Sequence, residues 1–346
     1  MPNEVLTKAI DALASKRDLS TDEAAEVLAQ IMQGDVSETQ IAGFLIALRT
    51  KGETVQELAG LARTMRSLAA HVPTQRTDLL DTAGTGGGRR TFNVSTTAAL
   101  IAAGAGSAVA KHGNRSATSS SGSADVLEAL GARIDLDPAG VAACIEEANF
   151  GFMFAPAHHQ ATRFVVPVRA ELAVRTVFNL LGPLTNPAGA SRQLIGVSDP
   201  AFLETVAGAL ALLGVEHALV VSSEDGLDEI STSAATRAIE VRGDELRAYT
   251  LAPADVGIAL APRDYDGGSP EENADVTRAI LEGESSSRAD LALINAGAAI
   301  YVAGGATSIA EGVHRARAAI AQGDAARALH SYVQASRRHA PTGAPA

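Results

Sequence analysis

The stretch DTAGTGGGRRTFNVST (residues 81–96), followed after an apolar run by KHGNRSATSSSGSAD (111–125), carries the reading of this chain. Residues 79–83 read as a short strand and 96–105 as a helix; 108–112 and 123–130 repeat the pair. Each strand runs into a loop of glycines, hydroxyls and amides. Gly84, Gly86, Gly87 and Gly88 let main-chain N–H groups approach a ligand closely, and a helix start at Asn93, Val94, Ser95 and Thr96 favours an anion. The second loop adds Lys111, His112, Asn114 and Arg115. This is chemistry for holding phosphates. The first loop is neither a Walker A sequence nor a dinucleotide G-x-G-x-x-G.

Outward from these loops the alternation continues. Strands are expected at 194–197 and 218–221, and helices at 139–148 and 201–213. The pattern defines an α/β fold with a mainly parallel sheet surrounded by helices. In such sheets ligands sit beyond the carboxyl ends of the strands, where both Gly-rich loops fall. The first 72 residues read as helices only. Ser20-x-x-Glu23, Ser37-x-x-Gln40 and Thr54-x-x-Glu57 are capping-box signatures, each opening a helical apolar pattern, and Gly34 and Gly52 suit helix ends. The chain thus divides into a small helical domain (1–72) and an α/β domain (73–336). A helix and Gly/Pro turn at 171–190 interrupts the alternation, and 337–346 reads as a disordered tail.

Composition narrows the function. The net charge of −12 and an aromatic content of 3 % with no Trp argue against a nucleic-acid surface. No long charge-free apolar span points to a membrane, and the charged amphipathic N-terminus is unlike a signal peptide, so the expected location is the cytoplasm. Cys144 stands alone, which leaves no disulfide framework. Asp228 and Glu229, after the strand at 218–221, are candidate Mg2+ ligands, since Mg2+ takes oxygen donors and bridges to phosphates. Their neighbours Glu224 and Asp225 read as an exposed acidic turn. Arg169 can grip a carboxylate bidentately or form a surface salt bridge. The spacing of His159, Arg163 and Arg169 makes no zinc triad.

GTGG…TFNVST, KHGNR…SGSADVLEALG, VRTVFNLLGPLTNP, DGLDE and GGSPEENA together resemble the anthranilate phosphoribosyltransferases, members of a nucleoside-phosphorylase-like superfamily. The likeness runs from about residue 5 to residue 335. It implies a small helical domain on a larger α/β domain, a homodimer through the helical domain, and Mg2+-dependent transfer of a phosphoribosyl group from phosphoribosyl pyrophosphate to anthranilate. The donor would then be bound by Gly84, Gly87, Gly88, Thr91, Asn93, Val94, Ser95, Thr96, Lys111, His112, Gly113, Asn114, Arg115, Ser116, Ala117, Thr118, Ser119 and Ser123. Ser95 and Glu229 would hold one Mg2+, and Asp228 and Glu229 a second, two ions per subunit. Gly84, Asn114 and Arg169 would contact anthranilate, with His112 and His159 lining its approach. An arylamine is already a nucleophile, so no strong general base is demanded, and His112 is only a weak candidate for one.

The chain departs from the family pattern at two points. The usual Asp after G-T-G-G is absent; Gly88-Arg89-Arg90 stands there in a loop one residue short, where an arginine could meet a phosphate directly. Ser120 replaces a customary Lys. Two rival readings are a pyrimidine nucleoside phosphorylase and a non-catalytic relative that binds nucleic acid. KHGNR and the Asp228–Glu229 pair favour the transferase over both.

Overall fold

The computed structural model describes residues 1–116 and 120–341. The chain opens with α1 (Glu4–Ala14), α2 (Thr21–Gln33), α3 (Glu38–Lys51) and α4 (Val55–Ser67). Ser20 with Glu23 and Thr54 with Glu57 close reciprocal capping boxes. Ser37 caps only one way, because the Gln40 amide is drawn to the backbone of Asn3 instead and staples α3 to α1.

Strands and helices then alternate: β1 (Leu80–Gly84), α5 (Val94–Gly104), β2 (Val109–Gly113), α6 (Ser123–Ala129), α7 (Pro138–Ala148) and β3 (Phe150–Phe154). The irregular stretch that follows holds α8 (Ala155–His158), α9 (Val166–Leu172) and α10 (Phe178–Leu181), with short 3-10 turns at Gln160–Phe164 and Gly182–Leu184. The alternation resumes with β4 (Arg192–Gly196), α11 (Leu203–Leu212) and β5 (His217–Ser223), and ends in the hairpin β6 (Thr236–Arg242) and β7 (Glu245–Leu251). Four helices close the chain: α12 (Pro270–Leu281), α13 (Ser287–Val302), α14 (Ile309–Ala321) and α15 (Asp324–Arg338).

The seven strands form one sheet in the order β3-β2-β1-β4-β5-β6-β7. β3 through β5 in that order are parallel, and β6 and β7 are antiparallel. Successive strand residues serve two cores, as the pleat requires. Leu219 and Val221 pack with α5 and α13 on one face, while Ala218 and Val220 pack with α11 and the N-terminal helices on the other. α5 is apolar all round because it is buried all round: Ala98 to Ala102 are 0 % exposed. Strand order reverses between β1 and β4, and a crevice opens beyond their carboxyl ends.

The expected strands are present. β3, β6 and β7 were not expected, and the segment at 171–190 holds a single helical turn rather than a full helix. Val177, Leu180, Leu181 and Leu184 of that segment enter the core of the N-terminal helices. The expected tail begins later than Ser336. α15 runs through Arg338, and Arg338 and His339 pair with Glu147 of α7; residues 342–346 lie outside the described residues. No helix among the described residues is long and apolar enough to cross a membrane.

One buried ion pair ties the N-terminal helices together. Glu57, 0 % exposed, accepts from Lys51 at 3.0 Å and from the Leu19 and Thr54 N–H groups at 2.9 Å each. Glu57→Ala leaves the Leu19 and Thr54 N–H groups without their acceptor, while Lys51 keeps Asp18 Oδ1 and Gly52 O at 2.7 Å each, so a loss of about 2 kcal/mol in urea unfolding is expected. A loss below about 1 kcal/mol would show the pair to be energetically idle.

Candidate active site

The site grows from the carboxyl ends of β1 and β2. Asp81 in β1 is 0 % exposed and accepts from the His112 N–H at 3.1 Å and from Asn186 Nδ2 at 2.8 Å. Lys111 lies inside β2, 1 % exposed, and is not the loop cation its sequence position suggested. Its Nζ donates to Thr82 O, and at 3.3 Å to both Thr82 Oγ1 and Ser95 Oγ. Burial pushes the Lys111 ammonium below its ordinary value, while Asp81 and Glu229 pull it back. Glu229 is pushed up to about 8, first by burial and then by Asp228, against the opposing pull of Lys111 and the Ser95 N–H. Ser95, Lys111 and Glu229 are thus gathered at one point beneath the start of α5.

Asp228 fixes the first loop. Its Oδ2 accepts from the Gly86 N–H at 3.0 Å. A Cβ on Gly84 or Gly88 would stand 2.7 or 2.8 Å from the same carboxylate, and one on Gly196 would stand 1.6 Å from Asp228 O. Gly86 and Gly87 turn through φ of 64° and 78°, which suits glycine. Burial raises the Asp228 carboxyl above its ordinary range. Asp225 is not part of an exposed turn: it is buried, accepting from Ser223 and from Ser231 Oγ, with Arg263 at 3.6 Å. Only Glu224 of that pair is exposed. In the shortened loop the Arg89 N–H meets Gly226 O at 3.3 Å. The Arg89 and Arg90 side chains are exposed and border a cavity of about 220 Å³ with Arg263.

The second loop is braced from three sides. Asn93 precedes α5 without capping it through its side chain. Its amide instead donates to Ser121 O and accepts from Ser121 Oγ and from Asn273 Nδ2 of α12. The GGSPEENA motif therefore supports the loop: Ser269 and Glu272 form its capping box and Asn273 reaches Asn93. Thr91 and Val94 flank the buried Phe92, and the open end of α5 presents Val94, Ser95 and Thr96. Arg115 is committed to Asp125 and Glu128 of α6 and lies over Phe154, so it is not a free phosphate-binding cation. The Ser116 N–H donates to Asp125, and Ser123 Oγ to Asn114 O. Asn114 is exposed between Gly113 and Arg115. Ala117, Thr118 and Ser119 lie outside the described residues.

A second cluster borders the first. The rings of His112 and His159 stand 5.0 Å apart. His112 Nδ1 is 3.1 Å from Gly182 O. A carbonyl only accepts, so Nδ1 carries the hydrogen and Nε2 is bare. Burial lowers His112 to about 3 and His159 to about 4, keeping both neutral near pH 7. The Nε2 atoms of both are buried without a partner among the described residues. Arg169 lies over Phe178 at 5.4 Å and has no carboxylate partner among the described residues, which removes the salt-bridge reading. Sequence reasoning missed Arg175, whose guanidinium meets the first loop at Gly86, and Asn186, which holds Asp81. Both lie inside the VRTVFNLLGPLTNP motif, where Arg175 is the one charged residue, a signal that was available.

The donor set of Ser95, Asp228 and Glu229 is all oxygen, which suits Mg2+. No group of three or more His, Cys, Asp or Glu side chains gathers among the described residues. Such a site relies on ligand phosphates or waters to complete the coordination.

A helical bundle beside a mainly parallel sheet is the frame of the glycosyl transferase family, whose two domain models this chain matches. Residues 7–69 match the helical bundle domain, and 76–326 the a/b domain, of the glycosyl transferase family. Among the curated relatives, the anthranilate phosphoribosyltransferase of Symbiobacterium thermophilum is 50 % identical over 92 % of this chain and 94 % of its own length. That of Rubrobacter xylanophilus is 51 % identical over 98 % and 100 %. The crystal structure of the Thermus thermophilus enzyme covers 95 % of this chain and 99 % of its own at 47 % identity and a TM-score of 0.90. The Saccharomyces cerevisiae enzyme in complex with PRPP and Mg covers 96 % and 98 % at 27 % identity and a TM-score of 0.88. The chain belongs to the anthranilate phosphoribosyltransferase family.

Glu229 sits above its ordinary 4.5 at about 8 in the metal-free protein, so the native state holds the extra proton between those values. Its contribution to metal-free stability is full at low pH and is lost as pH rises through about 8. Mg2+ binding to a carboxylate needs that proton gone. Calorimetry at pH 7 in buffers of different ionisation enthalpy should show about one proton released per chain on filling with Mg2+, fading above about pH 9. No release at pH 7 would contradict the assignment of Glu229 as a ligand.

Proposed function

We propose that this chain transfers the phosphoribosyl group of phosphoribosyl pyrophosphate to the amine of anthranilate, releasing pyrophosphate. The observation that carries the reading is the pair Asp228 and Glu229, enclosed beneath a glycine loop and the open end of α5. The first-loop backbone at Gly84 to Gly88 and the N–H groups of α5 bind and orient the pyrophosphate end of the donor. Ser95 with Glu229, and Asp228 with Glu229, would hold two Mg2+ ions, which would supply positive charge against the departing pyrophosphate. Lys111 adds a fixed positive charge beside Ser95. Thr91, Asn93 and the loop from Gly113 to Ser123 position the ribose 5-phosphate.

Arg169 pairs with the anthranilate carboxylate, and Asn114 with Gly84 fixes the ring against the donor. The bare, neutral Nε2 atoms of His112 and His159 accept hydrogen bonds from the arylamine and orient its lone pair. The amine attacks the anomeric carbon as the bond to pyrophosphate breaks. His112, held near 3, is a poor general base and acts as an acceptor. The enzyme works in the cytoplasm as a homodimer through the helical domain (1–72), with the α/β domain (73–336) carrying both substrates.

Loss of anthranilate fluorescence on adding phosphoribosyl pyrophosphate, and its dependence on Mg2+, tests the reaction; cleavage of thymidine or uridine by phosphate would point to the phosphorylase instead. Arg169→Ala should raise the anthranilate KM about ten- to hundredfold, the loss expected of one charge-assisted pair, and leave the donor KM in place. An unchanged anthranilate KM would remove Arg169 from the acceptor site. Light scattering should give twice the 35.3 kDa chain mass; a mass of one chain would exclude the dimer.

A further inference from the structure

The groups assigned to the donor above all come from the α/β side of the crevice. The linker between α9 and α10 brings one more. Ala173 ends α9 in the left-handed region at φ 50° and turns the chain outward. Val174 and Arg175 are exposed before Thr176 and Val177 return to the core. Two contacts then fix Arg175 across the crevice. Arg49 of α3 donates from Nη1 to Arg175 O at 2.7 Å, and Arg175 donates from Nη2 to Gly86 O at 2.9 Å. Nη1 of Arg175 stands 2.1 Å from the point where a Cβ on Gly87 would project, so the guanidinium lies directly on the glycine loop. It also lies close enough to Asp228 to favour the charged carboxylate.

The loop does not hang on Arg175 alone. Gly86 O already accepts from Ser198 Oγ at 2.9 Å. Arg175 forms no ion pair among the described residues, unlike Arg115, and most of its five donors are uncommitted. A planar fork of donors on a loop read as the pyrophosphate seat matches phosphate oxygens bidentately.

We propose that Arg175 is a donor-binding residue that grips the pyrophosphate of the phosphoribosyl donor from the linker held by α3. The crevice is then completed from both sides, and Arg49 acts as a positioning residue by holding the Arg175 backbone. This inference rests on the transferase reading above.

The test compares Arg175→Gln, Arg175→Lys and Arg49→Ala with the wild-type chain in the fluorescence assay, with donor binding followed by calorimetry in Mg2+. Arg175→Gln should raise donor Kd and KM about ten- to hundredfold, leave anthranilate KM within about twofold, and weaken inhibition by added pyrophosphate to the same degree. Arg175→Lys should recover part of the loss, and Arg49→Ala should show a smaller rise in donor KM. A donor Kd unchanged in Arg175→Gln would overturn the proposal. So would a rise accompanied by a lower Tm and no recovery with Lys, which would assign Arg175 to the fold of the loop. Wild-type protein inactive in the same assay would instead refute the transferase reading.

Discussion

A line of buried ionisable groups, Asp81, Lys111 and Glu229, runs past the carboxyl ends of β1 and β2, and the site is arranged around it. Removing one ion from water without a partner is prohibitive, so each member makes the others tolerable. Asp81 is also held by the His112 N–H and by Asn186, which ties the VRTVFNLLGPLTNP segment to the sheet. Lys111 reaches Thr82 and Ser95, which sets the start of α5 against β1. Glu229 ends the line beside the Ser95 N–H, its carboxyl raised by burial.

Around that line the sheet keeps two kinds of surroundings apart. The glycine-loop side is polar and rich in backbone donors, with Asp228 acting as the post on which the loop folds. The other side holds two neutral imidazoles and an arginine without a carboxylate partner among the described residues. An arginine lacking its own anion is suited to receive one from a ligand. Bare imidazole nitrogens suit a ligand that brings hydrogens. The two sides share β2, where consecutive residues Lys111 and His112 point to opposite faces of the pleat.

Local chemistry was legible in the sequence wherever it depended on neighbours along the chain. The capping boxes at Ser20 and Thr54, the strand–loop–helix units and the Asp228–Glu229 pair were all readable this way. The β6–β7 hairpin was missed, although the alternation in TRAIEVR and ELRAYTL around Gly243, which turns at φ 57°, carried the signal. β3 (FGFMF) is a continuous apolar run and resembles any buried segment. What could not be read was choice of distant partner. Arg115 turns to Glu128, Asp225 to Ser231, Asn93 to Asn273 and His339 to Glu147, and only the tertiary fold brings those groups within reach.

The core of the N-terminal helices does not stop at α4. Leu203, Val206 and Leu210 of α11, together with Ile195, Val220 and Val241 of the sheet, belong to it. A Cβ on Gly208 of α11 would come 2.9 Å from Val55 of α4. A cut in the gene near residue 72 would therefore leave both fragments with a raw apolar face. Recombination that exchanges the N-terminal helices between relatives must carry a compatible α11 along with them, although some 130 residues of sequence separate the two.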